Sequence, residues 1–178
     1  MEFEKSCELR PVSETDLLLL FQWRNSHRVQ ESMYSDQAIT LDQHTTWFHR
    51  MLQRDDLAYY VFEYNGVPSG VVNFVQLDKI NGKCSWGFYL GADDLPAGTG
   101  TKMCRLGLRK AFEELQMRKI CGEAFAFNLA SVKVHEKLGF QREGYYKEHV
   151  FKNGRYEDIV AFALFRDDFM SGERIADE

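Results

Sequence analysis

Apolar residues recur along the chain with two different periods, and the changes of period divide it into elements. Leu9 to Val12 reads as a short first strand. Ser13 with Asp16 three positions on resembles a capping box, with Asp in the Glu/Gln position, and Leu17, Leu20, Phe21 and Arg24 continue at helical spacing. A second helix opens at the cap Thr40 and places His44, Trp47, Phe48 and Met51 on one face. Three strands follow, Ala58 to Tyr64, Ser69 to Leu77 and Lys83 to Leu90, joined by hairpin signals at Asn65-Gly66 and Asn81-Gly82. A long helix then covers Lys102 to Met117. After it come a strand (Lys119 to Phe127), a helix (Ala130 to Leu138) and a strand (Phe140 to His149). The turn Asn153-Gly154 leads to a last strand, Tyr156 to Phe165, whose Phe162-Ala163-Leu164-Phe165 run is core. The acidic tail after Asp167 is expected to fray.

The order βααβββαβαββ predicts an α/β arrangement around a mixed sheet, with antiparallel pairs first and a βαβ crossover later. No repeat, linker or low-complexity segment interrupts it, so residues 1–178 read as a single domain. A hydrophobic share of 44% suits a compact core, and 14% aromatic residues leave rings to line a cleft. The net charge of −5 disfavours a nucleic-acid partner held by bulk electrostatics. No apolar run of about 18 residues is present, and Met1-Glu2-Phe3-Glu4-Lys5 has no signal-peptide pattern; no membrane association and a cytoplasmic location are expected. Cys7, Cys84, Cys104 and Cys121 form no C-x-x-C pair and the histidines no H-E-x-x-H pattern, so reduced thiols and no metal site are expected.

The stretch from Trp86 to Leu115 carries the chemistry. A strand, Trp86-Gly87-Phe88-Tyr89-Leu90, runs into Leu95-Pro96-Ala97-Gly98-Thr99-Gly100-Thr101 and then into a helix beginning near Lys102. Gly98 and Gly100 let the backbone approach a ligand, and the first helical turn presents unpaired N–H groups and its positive dipole end. Such a loop suits a pyrophosphate. A bare G-x-G is also a common turn and helix start. There is no G-x-x-x-x-G-K-[ST], and Met103 occupies the third glycine position of G-x-G-x-x-G, so two nucleotide motifs are set aside.

With Asn128-Leu129-Ala130-Ser131-Val132-Lys133-Val134-His135-Glu136-Lys137-Leu138-Gly139-Phe140, the chain resembles the GNAT superfamily of acyl-CoA-dependent N-acyltransferases, from Glu8 to Arg166. The segment is similar to that family's "N-x-x-S…Y-E-K-L-G-F", and Ala97 to Thr101 resembles its pyrophosphate loop. The resemblance implies acetyl-CoA as co-substrate, bound at Leu95, Gly98, Thr99, Gly100, Thr101 and Lys102, with Phe88, Tyr89, Leu90, Asn128 and Ser131 along the pantetheine arm. Two departures stand out. Leu95 replaces the Gln or Arg that usually opens the loop, and His135 stands where the family commonly has a tyrosine acting as general acid.

In the N-terminal half, Trp23-Arg24-Asn25, Met33-Tyr34, His44-x-x-Trp47-Phe48 and Trp86-Gly87-Phe88-Tyr89 resemble a narrower branch, the nucleotide-sugar N-acetyltransferases of pseudaminic acid biosynthesis. That resemblance implies a UDP-linked 4-amino-4,6-dideoxy sugar as acceptor, and it leaves a homodimer open. Arg24 is the residue suited to a diphosphate, since its fork is planar and bidentate; His44 and Lys83 are weaker candidates for the same task. Met33, Tyr34, Trp47 and Trp86 would wall the sugar, although helical spacing fits core packing for Met33 and Trp47 equally well.

Acetyl transfer needs a neutral amine and a proton for the departing thiolate. Glu123 sits within the apolar run Gly122 to Phe127 and is the candidate base, on the expectation that its neighbours bury it. His135 is the candidate acid; packing at a helix end is its bland alternative. Asn128 can cap a helix, meet pantetheine or do both, Ser131 is as readily a helix-start residue, and Phe88 and Leu90 fit core as well. Two other functions stay open. One is a GNAT enzyme acting on a protein N-terminus or a small amine such as spermidine, for which clustered acids are expected where this chain has Arg24 and Arg28. The other is an inert acyl-CoA-binding module.

Overall fold

The computed structural model describes residues 7–176, so the N-terminal segment read for a leader lies outside the described residues. Seven strands build one sheet: β1 (Cys7–Pro11), β2 (Leu57–Tyr64), β3 (Val67–Asp78), β4 (Lys83–Leu90), β5 (Lys119–Phe125), β6 (Gln141–Lys152) and β7 (Arg155–Phe165). They lie in the order β1-β2-β3-β4-β5-β7-β6. Every neighbouring pair is antiparallel except β4 and β5, which are parallel and connected through helix α4 (Thr99–Arg109). This is the mixed α/β sheet that the element order predicts.

The turn chemistry is legible in the dihedral angles. Asn65 and Gly66 have φ of 51° and 74°, and Asn153 and Gly154 have 51° and 80°. Both central residues are left-handed, as tight hairpins with right-handed strand twist require. At the third turn only Gly82 is left-handed (φ 61°), and the Asp78 carboxylate accepts from the Asn81 amide at 2.9 Å.

Alternation places two cores on opposite faces of the sheet. Phe62, Val72, Phe74, Ile120 and Phe162 pack with Met103, Leu108 and Phe112 beneath α4. Their odd-numbered neighbours Val61 and Val71 face the other way, onto Leu20, Trp23, Phe48 and Met51 of helices α1 (Leu17–Asn25) and α3 (Leu41–Leu52). Thr40 caps α3 as expected, its Oγ1 accepting from the Gln43 amide at 3.2 Å.

Two helices were not expected. Helix α2 (His27–Glu31) has five residues, too few to show a period, and follows α1 directly. The tail expected to fray forms α6 (Arg166–Ala176) instead: Phe169 is buried against Phe112, and Glu173 accepts from Arg109 at 2.6 Å and meets Arg105 at 3.2 Å. The long helix also begins three residues earlier than Lys102, and its regular part stops at Arg109, followed by a π turn over Lys110–Glu114. Asn25 does not cap its own helix; it holds Ile39 through both amide atoms at 2.9 and 3.0 Å.

One polar pair crosses the core. The Trp86 indole N–H donates to His135 Nε2 at 3.2 Å, and His135 Nδ1 lies 2.8 Å from the Ser131 carbonyl. Indole only donates and a carbonyl only accepts, so the network assigns a neutral ring protonated on Nδ1. A Cβ on Gly122 would fall 2.6 Å from His135 Nε2 and 2.7 Å from Trp86 Nε1, so this strand position needs glycine.

Burial lowers the His135 pKa below the usual 6.5, against the bond to Ser131, and burial likewise lowers that of His44. Both rings are therefore neutral in the fold and free to charge when it opens. Their contribution is present above the unfolded value and lost as pH falls through it. Urea denaturation is expected to show stability falling as pH drops below the unfolded histidine value of about 6.5 toward the lower values in the fold. His135→Gln should flatten that slope; a slope equal to that of the native chain would place its origin elsewhere.

Candidate active site

Beyond three register pairs, Lys83–Lys119, Cys84–Ile120 and Ser85–Cys121, β4 and β5 stop sharing hydrogen bonds. From Trp86 and Gly122 onward the strands part. A cavity of about 1270 Å³ opens there, reaching from helix α5 (Leu129–Lys137) and the start of α4 to α1, α2 and α3.

The loop leading into α4 opens the helix with a left-handed glycine and first-turn amides unpaired among the described residues. Gly98 is the N-cap with φ 86°, and nothing lies within 4 Å of an added Cβ, so its left-handed backbone is what demands glycine. The Gly100 and Thr101 amides find no acceptor among the described residues, while Lys102 N already donates to Gly98 O at 3.1 Å. Gly100 lines the cavity and has room, the nearest atom to an added Cβ being Leu90 Cδ1 at 3.5 Å. Thr99 is different from expectation. Its hydroxyl donates to Pro96 O at 2.7 Å and its side chain is buried, so it holds the loop. Leu95, Thr101 and Lys102 are on the loop and first turn, outside the cavity wall.

Arg28 fixes the approach to this loop, a role the sequence did not disclose. Its Nη2 donates to the carbonyls of Leu90, Gly91 and Ala92 at 3.2, 2.9 and 2.9 Å, and Nη1 meets Asp93 at 3.3 Å. Gly91 was missed as well: an added Cβ would lie 2.0 Å from the Trp23 ring.

Phe88, Tyr89, Leu90, Asn128 and Ser131 all reach the cavity. Asn128 is the α5 cap, with Oδ1 accepting from Ser131 N at 3.1 Å and Nδ2 donating to Ser32 Oγ at 3.2 Å. The Tyr89 ring packs edge-on against Trp23. His135 touches the cavity floor, yet its ring is stacked on Phe162 with centroids 4.6 Å apart. Its one proton faces Ser131 and its lone pair accepts from Trp86, so this arrangement leaves no proton directed at the cavity.

Trp86, expected to wall the sugar, lines the cavity but is only 7% exposed and stacks on Phe140 at 5.2 Å, so most of it is core. Lys83 lies at the start of β4, in register with Asp78 and outside the cavity, so it does not join a diphosphate site here. Glu123 is not buried by its apolar neighbours. Strand alternation turns Gly122 and Ala124 inward and leaves the carboxylate in the cleft, where it accepts a short hydrogen bond from the Tyr34 hydroxyl. Burial first, then Glu123, raises the Tyr34 pKa well above that of a free phenol, so Tyr34 remains a donor.

Arg24, Met33, His44 and Trp47 line the wall away from the loop. His44 Nε2 lies 3.0 Å from the Leu17 carbonyl and must carry the proton; burial, with Arg24 adding to it, keeps the ring neutral. His44 thus offers an acceptor, not the cation expected of it. Its Nδ1 and Arg24 Nη1 are both buried without a hydrogen-bond partner among the described residues. Trp47 remains 41% exposed and packs edge-on against Tyr59.

Residues 7–141 match the family model of the acetyltransferase (GNAT) domain. The SPbeta prophage-derived uncharacterized N-acetyltransferase YokL of Bacillus subtilis is 30% identical over 69% of this chain and 70% of its own length. The spermidine N(1)-acetyltransferase of Escherichia coli is 20% identical over 93% of this chain and 89% of its own. Among solved structures, spermidine N-acetyltransferase from Vibrio cholerae in complex with CoA and spermine superposes with a TM-score of 0.88 at 18% identity, covering 93% of this chain and 99% of that one. A matched fold, a glycine loop with free amides at a helix start and a cleft between parted strands agree: the chain belongs to the GNAT family of acetyltransferases, enzymes whose acyl donor is acetyl-CoA.

Proposed function

We propose that this enzyme transfers the acetyl group of acetyl-CoA to the 4-amino group of a UDP-linked amino-dideoxy sugar, UDP-4-amino-4,6-dideoxy-N-acetyl-β-L-altrosamine. The observation that carries the reading is Arg24. Its Nη1 is buried in the cleft wall without a partner, which is unfavourable for a charged donor unless a ligand supplies an acceptor. A diphosphate supplies several, in the planar geometry a guanidinium fits. Neutral His44 beside it offers its unpaired Nδ1 to a donor such as a base N–H or a sugar hydroxyl. Met33, Tyr34 and Trp47 present apolar and aromatic surface in the same cavity as that cation and Glu123.

The spermidine enzymes among the similar proteins suggest a polyamine as the competing acceptor. The charges of the cleft weigh against it. Two carboxylates line the cavity, Glu123 and Glu143, and Glu143 is already bridged to Lys119 at 2.6 Å. A polycation would meet an uncompensated Arg24.

In the proposed reaction the sugar ammonium gives a proton to the Glu123 carboxylate, the freed amine bonds to the thioester carbonyl carbon, the C–S bond breaks, and the second proton shed by the nitrogen as it becomes an amide passes to the departing thiolate, leaving coenzyme A as its thiol. Tyr34 orients the carboxylate by donating to it. The Gly100 and Thr101 amides hold the pyrophosphate of the donor. His135 holds the strand split rather than exchanging protons, a reading that rests on its two occupied nitrogens.

An acetyl-CoA consumption assay across the UDP-amino sugar, spermidine and a peptide amine tests the acceptor. The sugar should be preferred, and Arg24→Ala should raise its KM about tenfold or more, the worth of a charged hydrogen bond of roughly 1.5–3 kcal/mol, with the KM for acetyl-CoA little changed. Preference for spermidine, with Arg24→Ala improving it, would reverse the assignment. Gly100→Val should fold normally, given the space around Gly100, yet weaken acetyl-CoA binding in a calorimetric titration by about tenfold or more. Native affinity in that variant would move the pyrophosphate elsewhere. Glu123→Gln should lower kcat by roughly 10²-fold or more and abolish the acidic limb of the pH–rate profile, with acetyl-CoA affinity preserved. An unaltered rate and profile would show that another group takes the proton.

A further inference from the structure

Lys152 lies at the end of β6, next to the hairpin turn, and is only 2% exposed. A buried ammonium normally has a carboxylate partner, and none lies within salt-bridge distance among the described residues. Its Nζ instead donates to the carbonyls of Gln30 at 2.9 Å and Met33 at 2.7 Å, at the C-terminal end of α2, and sits 5.6 Å from the centre of the Phe125 ring. The negative end of a helix and an aromatic face are both suited to a cation. The Met33 carbonyl immediately precedes Tyr34 and that of Gln30 lies a turn before it; the Tyr34 ring packs edge-on against the same Phe125 at 5.4 Å and its hydroxyl meets Glu123. A methionine of similar length would fill the space equally well; the charge adds a grip on the turn that carries Tyr34.

We propose that Lys152 is a positioning residue for acetyl transfer: it clamps residues 30–33 to the β6–β7 hairpin so that Tyr34 is held against Glu123 on the acceptor side of the cleft. Weaker ties flank it, Asn153 N to Asp36 Oδ2 at 3.0 Å and Asn128 Nδ2 to Ser32 Oγ at 3.2 Å, both exposed. The kinetic part of this proposal rests on the acceptor binding beside Tyr34 and Glu123, as argued above; the clamp itself does not.

Lys152→Met is the test, read in two ways. Amide hydrogen exchange over residues 30–36 should quicken about tenfold or more while β6 and β7 keep their protection, whichever amine proves to be the substrate. With the amine that the native enzyme acetylates best, KM for that amine should rise about tenfold or more and KM for acetyl-CoA stay within about twofold. In a Tyr34→Phe background the same substitution should change the amine KM less than about twofold, because both changes remove one function. Lys152→Arg, which keeps the charge and donors, should recover part of the exchange protection, and Lys152→Gln takes the place of Lys152→Met if that variant does not fold. Unchanged exchange over 30–36 overturns the clamp. Faster exchange with KM for both substrates altered equally, or effects additive with Tyr34→Phe, overturns the positioning role and leaves Lys152 as a structural cation. Failure of every amine in the panel would instead count against the acceptor assignment, with the exchange result still deciding the clamp.

Discussion

Two parallel strands that stop bonding to each other after three residues shape everything else in this molecule. Main-chain N–H and C=O groups left unpaired inside a sheet are costly, so a split of this kind persists only where side chains hold it open and a ligand or solvent can reach the freed edges. Here Trp86 and His135 meet across the first unpaired level, directly over Gly122, and Phe140 and Phe162 close around them. The indole lies over Gly122 where pairing ends, and its N–H requires a neutral acceptor, which the histidine tautomer provides. The departure from the family's tyrosine therefore has a structural counterpart: the imidazole is a fixed acceptor within an aromatic cluster.

The split also decides which groups become reactive. Because β5 alternates, the level above Gly122 turns Glu123 into the cleft, while Cys121 borders the cavity below it. The same strand thus supplies a seat for the Trp86–His135 pair and the one cleft carboxylate that bonds to a phenol. A one-residue slip of β5 would exchange those two faces.

Most of the fold was legible in the sequence because its signals are local. Asn-Gly dipeptides, a Thr40 cap with Gln43 and period-two apolar runs each report on a few neighbouring residues, and all seven strands follow from them. The π turn after Arg109 and the ordered α6 are set by tertiary contacts, Phe112 with Phe169 and Glu173 with two arginines, which no window of sequence contains. The glycine loop was readable for the same reason as the turns: a left-handed cap before a helix needs a residue without a Cβ. What stayed hidden were long-range pairings of polar residues. Arg28 and Arg24 differ by four positions on the sequence, yet one is held by three carbonyls and an aspartate while the other leaves a buried Nη1 without a hydrogen-bond partner among the described residues. Glu123 was read as buried because its neighbours are apolar, when alternation turns it the other way.

The segment between α1 and α3 explains why those hidden pairings matter. Residues 26–39 contain only five in a regular helix, and few of them enter either core. Their position is set by groups arriving from elsewhere: Asn25 on Ile39, Arg28 on the chain leading to the glycine loop, Asn128 on Ser32, Asp36 on the hairpin and Lys152 on the α2 carbonyls. A segment held by hydrogen bonds at many points, with little apolar burial, opens at lower free energy than the sheet beneath it. It borders the cavity through Arg28, Val29, Ser32, Met33, Tyr34 and Ile39, so those distant hydrogen bonds set the shape of that wall. Apolar burial thus fixes the sheet and its strand split, while polar ties from distant elements fix this wall of the cleft.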